Sequence, residues 1–526
     1  MTSRPFRLQE ATIDDIHSAF ISGELTCRGL VELYLARIEA YDRSGPELNA
    51  ILTINPKVLE EAEDLDRAFG QGGEFVGPLH GIPVLVKDQA ETAGIRTAFG
   101  SVAFEEYVPE EDATAVRRMK EAGAVVLGKT NLPDFATSWF AYSSAGGETK
   151  NPYDLDRDPG GSSGGTGAAI AANLGAVGIG EDTGGSIRVP ASFDNLVGVR
   201  VTTGLISRKG LSPLVVFQDT AGPMTRTVKD AAILLDALVG YDSEDPFTAA
   251  ATLARDAGSY AEGLSEGTLR GARVGVVREV FGPDDDPDSS QVNGVVEGAL
   301  EAMQGAGAEI VDPVSVPDLQ HFIGVTSLYL SQSRYDIDNF LARRPGSHTV
   351  SELYDSKRFH PRLDLFIAIA EDAPADPEED PDYYRGLAAR EQFRRAVLNV
   401  MASHNLDALV YPNSQVLPPT REELDDWKWT VLTFPTNALI AAQADLPSIS
   451  LPAGIAEGGV PAGFELVGKP YGEADLLRLA VRLRERGQPS QTSGERSSSS
   501  GRTPLGSRID ERTWAISSTG QGRQRD

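Results

Sequence analysis

Short apolar runs recur along the first half of the chain and predict the strands of a sheet. The runs lie at residues 50–54, 82–86, 125–127 and 176–179. Each has the length and the aliphatic, often β-branched character of a buried strand. Helical patterns separate them, with Thr12 and Thr26 as N-caps of the first two helices. Because strands that alternate with helices are typical of an α/β sheet, we predict an α/β fold.

The second half of the chain has weaker helical patterns and acidic loops. Helices are predicted at 297–303 and 391–401, strands at 408–411 and 448–451, and an amphipathic helix at 473–486. Residues 488–526 are rich in Ser, Gly and Arg and poor in apolar residues, which predicts a disordered tail. The predicted organisation is one domain over residues 1–487, with N-terminal helices over 1–70, a core over 77–236 and a variable helical region over about 290–430.

The chain carries a strong negative charge. Among its 526 residues, 48 are Lys or Arg and 77 are Asp or Glu, which gives a formal net charge of −29. Such a charge repels nucleic-acid phosphates and anionic membrane surfaces, so we expect neither a nucleic acid nor a membrane as partner. The most apolar run, residues 168–180, is short and interrupted by glycine, and the single cysteine allows no disulfide within the chain. We therefore predict a cytoplasmic protein.

Two glycine-rich segments around serines carry the densest chemical signal. The first is Gly160-Gly161-Ser162-Ser163-Gly164-Gly165, and the second is Asp182-Thr183-Gly184-Gly185-Ser186-Ile187-Arg188. Glycines let a ligand approach the main chain closely and let backbone N–H groups point into one space. Ser162 and Ser186 are 24 residues apart. A helix of about 11 residues followed by a returning strand would bring both serines to the same level.

Lys87 is the candidate base. A serine hydroxyl is a poor nucleophile near neutral pH and needs a neighbouring group that accepts its proton. Lys87 follows the apolar run at 82–86, where burial would lower its pKa towards the neutral amine that a base requires. Taken singly, glycine-serine runs are usually turns, and a lysine at a strand end usually extends to solvent. The combination of two such serines with this lysine is what favours catalysis.

Other kinds of site fit the residues less well. Gly160-x-Ser162-x-Gly164 matches the nucleophile elbow of α/β-hydrolases, but the segment before it is polar, and no downstream histidine lies in a recognisable catalytic setting. No phosphate-loop or dinucleotide motif is present, and histidines and carboxylates do not fall at familiar metal-ligand spacings. We therefore predict no cofactor and no metal.

These segments resemble the amidase signature family. The elements that carry the resemblance are GIPVLVKD at 81–88, GGSSGG at 160–165 and DTGGSIRVPAS at 182–192, in the order and spacing of the family. The likeness covers residues 8–486 and is strongest over 77–236. It implies a single large α/β domain with a mixed, twisted central sheet flanked by helices. It also implies hydrolysis of a carboxamide to a carboxylate and ammonia or an amine.

The resemblance further implies a role for each motif residue. Ser186 matches the nucleophile that forms an acyl-enzyme, Ser162 matches the bridging serine, and Lys87 matches the base. The family pattern places a cis peptide before Ser162. Backbone N–H groups of residues 183–186 match the oxyanion hole. The residues beside the triad that match the oxyanion hole or a supporting, substrate-binding position are Thr183, Gly184, Gly185 and Ser163.

Three functions stay open at this point. The first is a stand-alone amidase that acts on a small-molecule amide, and the second is the glutaminase (A-type) subunit of a tRNA-dependent amidotransferase. The third is a non-catalytic binding protein on the same fold. Asp194-Asn195 and Arg200-Val201 depart from the commonest family pattern. Together with Phe217-Gln218-Asp219-Thr220, they resemble stand-alone amidases, including peptide amidase types, more than the A subunit of a tRNA-dependent amidotransferase. The sequence leaves open which amide is the substrate and whether the chain forms a homodimer.

Overall fold

The computed structural model describes residues 6–253 and 258–487. The predicted tail at 488–526 lies outside these residues. In the described ranges, eleven strands form one sheet. The strands are β1 (Ile51–Ile54), β2 (Pro83–Lys87), β3 (Val125–Thr130), β4 (Val177–Asp182), β5 (Val197–Arg200), β6 (Thr220–Thr225), β7 (Arg273–Val277), β8 (Glu309–Val314), β9 (Ala408–Pro412), β10 (Ser448–Ile455) and β11 (Pro461–Val467).

The sheet is mixed, as expected. Its strand order is β1-β3-β2-β4-β6-β5-β10-β11-β9-β7-β8. Strand β2 runs parallel to both β3 and β4, and β7 runs parallel to β8 and β9. The remaining neighbours pair antiparallel. The prediction of a single large α/β domain on a mixed sheet is confirmed.

Helices cover the sheet and fill the segments between its strands. Thr12 and Thr26 cap the first two helices through their side chains, as the sequence predicts. The helices are α1 (Ile13–Ser22), α2 (Cys27–Ile38), α3 (Val58–Gly72), α4 (Thr114–Glu121), α5 (Gly164–Ala171), α6 (Arg188–Phe193), α7 (Val228–Leu238), α8 (Tyr260–Gly263), α9 (Pro287–Gly305), α10 (Leu319–Val325), α11 (Tyr329–Leu341), α12 (Val350–Asp355), α13 (Asp364–Asp372), α14 (Tyr383–Ser403), α15 (Arg421–Asp425), α16 (Leu439–Gln443) and α17 (Glu473–Gly487). None of the helices in the described ranges is both long and apolar enough to span a bilayer.

All six predicted strands lie on observed strands, but other strands escaped the apolar-run criterion. Strand β8 is at the edge of the sheet, and most of its residues are exposed or only partly buried. It therefore has no continuous apolar run. Strand β6 (TAGPMT) is fully buried yet contains a glycine and a proline, which are depleted in strands and are typical of turns.

The centre of the sheet positions the two glycine-rich segments. Helix α5 follows the first segment and is eight residues long, shorter than the predicted eleven. It packs so closely on the sheet that a side chain on Gly165 would collide with the backbone of Ala50 and Asn131. The chain then returns along β4. The last residue of this strand, Asp182, is the first residue of the second glycine-rich segment. The predicted helix and strand between the two serines are thus confirmed.

Candidate active site

Lys87 lies at the centre of the site, where the sequence predicts a buried base. It is the last residue of β2, and its side chain is 2% exposed. Burial lowers the pKa of the amine, because charge is costly away from water, while the nearby carboxyl groups of Glu181, Asp182 and Asp219 act in the opposite direction. The Nζ atom lies 2.7 Å from Ser162 Oγ. The structure therefore brings the predicted base and the predicted bridging serine into direct contact.

Ser162 and Ser163 lie on the loop that enters α5. The Gly161-Ser162 peptide is cis, as the family resemblance implies. Ser163 donates its backbone N–H to the carbonyl oxygen of Ser186 at 3.0 Å. The Ser163 hydroxyl donates to the Glu181 carbonyl oxygen at 3.2 Å and accepts the Glu181 N–H at 3.3 Å. Ser163 thus joins its loop to the end of β4 and to the turn that carries Ser186.

Ser186 sits in the turn between β4 and α6 and is 3% exposed. Its backbone is held against the Ser162 loop by the Ser163 contact. Within the described residues, the Ser186 hydroxyl forms no hydrogen bond, and the hydroxyl of Ser162 contacts Lys87 instead. The structure therefore brings Ser186 next to the pair through the main chain, without a direct bond between the two hydroxyl groups.

The backbone N–H groups of the Ser186 turn differ in whether they are already used. Gly185 donates its N–H to Asp182 Oδ1 at 2.9 Å. In the part of the chain that the structure describes, the N–H groups of Thr183, Gly184 and Ser186 have no such acceptor. Of the four expected oxyanion donors, Gly185 is therefore engaged in holding the turn, and the other three form no hydrogen bond within the described residues.

The carboxylate of Asp182 holds the turn that carries Ser186. This carboxylate also accepts the Ile187 N–H at 3.1 Å and hydrogen bonds from the guanidinium groups of Arg188 and Arg200. Burial alone would raise its pKa, but the two guanidinium groups outweigh burial and hold the pKa well below its usual range. Arg188 also pairs with Glu465 at 2.6 Å. No sequence pattern indicated this network, and Arg200 stood out only as a departure from the family pattern.

Glu181 is a second group that sequence reasoning missed. Its Oε2 atom lies 3.4 Å from Lys87 Nζ, and its side chain is 2% exposed. Burial raises the pKa of this carboxyl group to about 8. Its other oxygen lies 3.2 Å from Thr183 Oγ1, which donates to Asp219 at 2.6 Å. The available signal was a glutamate directly after a glycine near the end of a buried strand. This signal indicates a role only once the neighbouring strand is known to end in Lys87.

Polar side chains from the second half of the chain close the site over Gly184. A side chain at Gly184 would collide with the Tyr329 hydroxyl. Gln218 donates to the Thr183 carbonyl oxygen at 2.7 Å and to the Tyr329 hydroxyl at 3.1 Å. Arg390 donates to Gln218 Oε1. The region predicted to be variable therefore contributes Tyr329 and Arg390 to the surroundings of the turn.

The sequence of this chain matches a known family over most of its length. The match to the model of the Amidase family covers residues 29–477. This chain belongs to the amidase family. It is an enzyme of that family, whose members act on carbon–nitrogen bonds, and the resemblance identified from the motifs is confirmed.

Relatives of this amidase-family chain include components of a larger enzyme. The chain is 34% identical over 492 residues to the A subunit of glutamyl-tRNA(Gln) amidotransferase from Geobacter metallireducens, a match that covers 90% of this chain and 96% of the relative. It is 35% identical to the protein of the same name from Halorhodospira halophila, over 91% of this chain and 97% of the relative.

Solved structures of two kinds share the fold. Peptide amidase from Stenotrophomonas maltophilia superimposes with a TM-score of 0.80 at 35% identity, over 92% of this chain and 98% of the peptide amidase. The A subunit of glutamyl-tRNA(Gln) amidotransferase from Thermotoga maritima superimposes with a TM-score of 0.71 at 28% identity, over 92% of this chain and 96% of that protein. The amidase-family fold is thus shared with both a peptide amidase and an amidotransferase component.

Proposed function

We propose that this amidase-family chain is a stand-alone carboxamide hydrolase that forms an acyl-enzyme on Ser186. The observation that carries the proposal is the 2.7 Å contact between Lys87 Nζ and Ser162 Oγ, in a site where burial lowers the pKa of the amine. An amine held neutral beside a serine is what a proton relay requires. The resemblance to peptide amidase, at a TM-score of 0.80, supports a linear amide as the substrate class.

In the proposed reaction, the Ser186 oxygen attacks the amide carbonyl carbon. The Ser186 proton passes to Ser162, whose own proton passes to Lys87 Nζ. The oxyanion accepts hydrogen bonds from the free N–H groups of the turn, each worth about 3–4 kcal/mol to the transition state. The proton held on Lys87 returns through Ser162 to the leaving nitrogen, the carbon–nitrogen bond breaks, and water then hydrolyses the acyl-enzyme.

The proposal requires the Ser186 hydroxyl to reach Ser162 when substrate binds. The Ser163 N–H already holds the Ser186 backbone beside the Ser162 loop. Catalytic hydrogen bonds are often long or open in the absence of substrate and close in the complex. We therefore infer that the Ser186 side chain moves towards Ser162 when substrate binds. The backbone of the turn, which Asp182 holds, stays in place.

An amide-library screen tests the proposal. The purified chain is assayed alone for ammonia or amine release from aryl, aliphatic and peptide C-terminal amides, beside Ser186→Ala and Ser162→Ala. We expect turnover of at least one class by the wild type and background rates for both variants. Intact-protein mass spectrometry should show an acyl adduct on wild type only. Turnover retained by Ser186→Ala would refute the assignment of the nucleophile.

The second candidate is the glutaminase subunit of a tRNA-dependent amidotransferase. It is favoured by the 34% identity to an amidotransferase A subunit over 90% of the chain. The net charge of −29 opposes direct contact with tRNA but leaves partner chains possible. Glutamine as the preferred substrate, with a rate that rises on adding the other subunits of such a complex, would decide for this candidate. A rate on simple amides that is independent of added subunits decides for the stand-alone enzyme.

A further inference from the structure

We propose that Glu181 is a second proton-holding residue of the site, and that it keeps Lys87 unprotonated by carrying the proton of the buried pair itself. The inference rests on the proposed function, because it assigns Lys87 as the base. Glu181 acts through Lys87 and is therefore a positioning residue rather than a group that touches the substrate.

The carboxyl group of Glu181 is not the closest contact of Lys87 Nζ. Its shortest contact is with the hydroxyl of Ser162 at 2.7 Å, and the next is with the carbonyl oxygen of Glu181 at 3.2 Å. The carboxyl oxygen of Glu181 is the most distant of the three, at 3.4 Å. Charge-assisted N–H···O contacts usually measure about 2.7–2.9 Å. The amine is therefore held by two uncharged oxygens, and the carboxyl group stands beside it without forming a close ion pair.

Counting protons along the neighbouring contacts also favours a protonated Glu181. Asp219 accepts the N–H groups of Leu214 and Val215 at 2.9 and 3.1 Å, and it accepts the Thr183 hydroxyl at 2.6 Å. Three accepted bonds suit an ionised carboxylate. A threonine hydroxyl has one proton, and the shorter contact favours Asp219 as its acceptor. In that arrangement the 3.2 Å contact between Thr183 Oγ1 and Glu181 Oε1 is a hydrogen bond only when Glu181 is protonated and donates.

The charges that surround the pair disfavour a second carboxylate at Glu181. The charge of Asp182 is balanced by two guanidinium groups, whereas Asp219 has no cation in contact within the described residues. Desolvation of an ion pair is costly, and moving the proton from the amine to the acid leaves two neutral groups. In agreement, burial lowers the pKa of Lys87 and raises that of Glu181 to about 8. The titratable groups that face the pair are Asp182 and Asp219. Arg188 and Arg200 pair with Asp182, and Asp336 lies beyond Asp219.

The pair has its own connection to solvent. Glu181, Asp219 and Asp336 all line a cleft with a volume of about 1270 Å³. The contacts from Lys87 to Glu181, then to Thr183 and Asp219, lead from the amine to this cleft. A proton can therefore enter or leave the buried pair without passing Ser162 or Ser186.

The test compares kcat/KM against pH for wild type and Glu181→Gln, with an amide substrate that has no ionisable group. Because ionised Glu181 would stabilise the protonated Lys87 that forms in the transition state, the wild-type kcat/KM should rise as pH passes about 8. Glutamine copies the neutral acid. We therefore expect kcat/KM of Glu181→Gln at pH 7 to stay within a few fold of wild type. The acid limb of its profile, where kcat/KM falls as Lys87 becomes protonated, should be unchanged, and the rise above pH about 8 should be lost.

Three results would overturn the inference. A profile of Glu181→Gln that superimposes on wild type would give the residue a merely structural role. A large loss at pH 7 in a folded variant would mean that the carboxylate itself is needed. An acid limb displaced to lower pH by about 1 unit would mean that wild type holds an ion pair at neutral pH.

An infrared measurement separates this inference from the assignment of the enzyme. The wild type minus Glu181→Gln difference spectrum should show the carbonyl stretch of a protonated carboxyl group at pH 7, lost above pH about 8. Absence of this band at pH 7 refutes the inference whether or not an amide is turned over. Asp336→Asn is the matched control. Burial raises the pKa of Asp336 to about 6, its side chain lines the same cleft, and its carboxylate accepts hydrogen bonds from the Val216 N–H and the Gln332 side chain. This variant should keep the rise, and losing it would also count against Glu181.

Discussion

Replacing Asp182 with asparagine tests whether the turn that carries Ser186 is held by charge. The carboxylate accepts five hydrogen bonds, from the N–H groups of Gly185 and Ile187 and from Arg188 and Arg200. In Asp182→Asn, an amide NH₂ must face at least one of these donors, and two buried guanidinium groups lose their shared anion. Removing one partner of a buried ion pair costs about 3–5 kcal/mol. We expect the free energy of unfolding to fall by that amount.

The effect on catalysis should be separate from the effect on stability. A displacement of a catalytic group by about 1 Å can cost about 100-fold in rate, so we expect kcat to fall by that order while KM changes little. Urea denaturation and steady-state kinetics at a temperature where the variant is folded measure the two effects. Asp230→Asn is the control. The buried carboxylate of Asp230 accepts the Ile13 N–H, so this substitution should lower stability without changing kcat. Wild-type kcat in folded Asp182→Asn would refute the reasoning.

Three further predictions concern the relay and the turn. Ser186→Ala should reduce turnover to background with an unchanged circular dichroism spectrum, and an acyl adduct on this variant would contradict the assignment. Lys87→Met should lower the rate of acylation by about 10²–10⁴-fold in stopped-flow measurements, because the general base is lost; a loss confined to deacylation would speak against it. Gly184→Ala should cost about 1–3 kcal/mol of stability through its collision with Tyr329, and adding Tyr329→Phe should recover part of the melting temperature.

Local chemistry made part of the site readable from the sequence. Glycine on both sides of Ser162 and directly before Ser186 signals close approach of the main chain, and an apolar run followed by Lys87 signals a buried amine. Each of these signals is contained within a few residues of its own segment. The structure confirms the burial of Lys87 and its contact with Ser162.

Other parts of the site depend on contacts between distant segments. Arg390 lies 172 positions after the Gln218 side chain to which it donates, and Tyr329 reaches Gly184 from another helix. Neither residue stands in a motif, so only packing reveals its place. Glu181 lies directly before the second motif, but its contact with Lys87 depends on the pairing of β4 with its parallel neighbour β2. In the same way, β8 was missed because an edge strand needs no continuous apolar run.

The pairing of β2 with β4 has a consequence for how the protein matures. Val86 is opposite Ile179 in this pair, which sets Lys87 level with Gly180 and within reach of Glu181. Successive side chains of a strand point to opposite faces, so a slip of one residue would turn the amine away from the Ser162 hydroxyl group. Recovery of activity in a refolding chain therefore reports whether β2 and β4 are correctly aligned. It is more sensitive to this alignment than recovery of overall helical content.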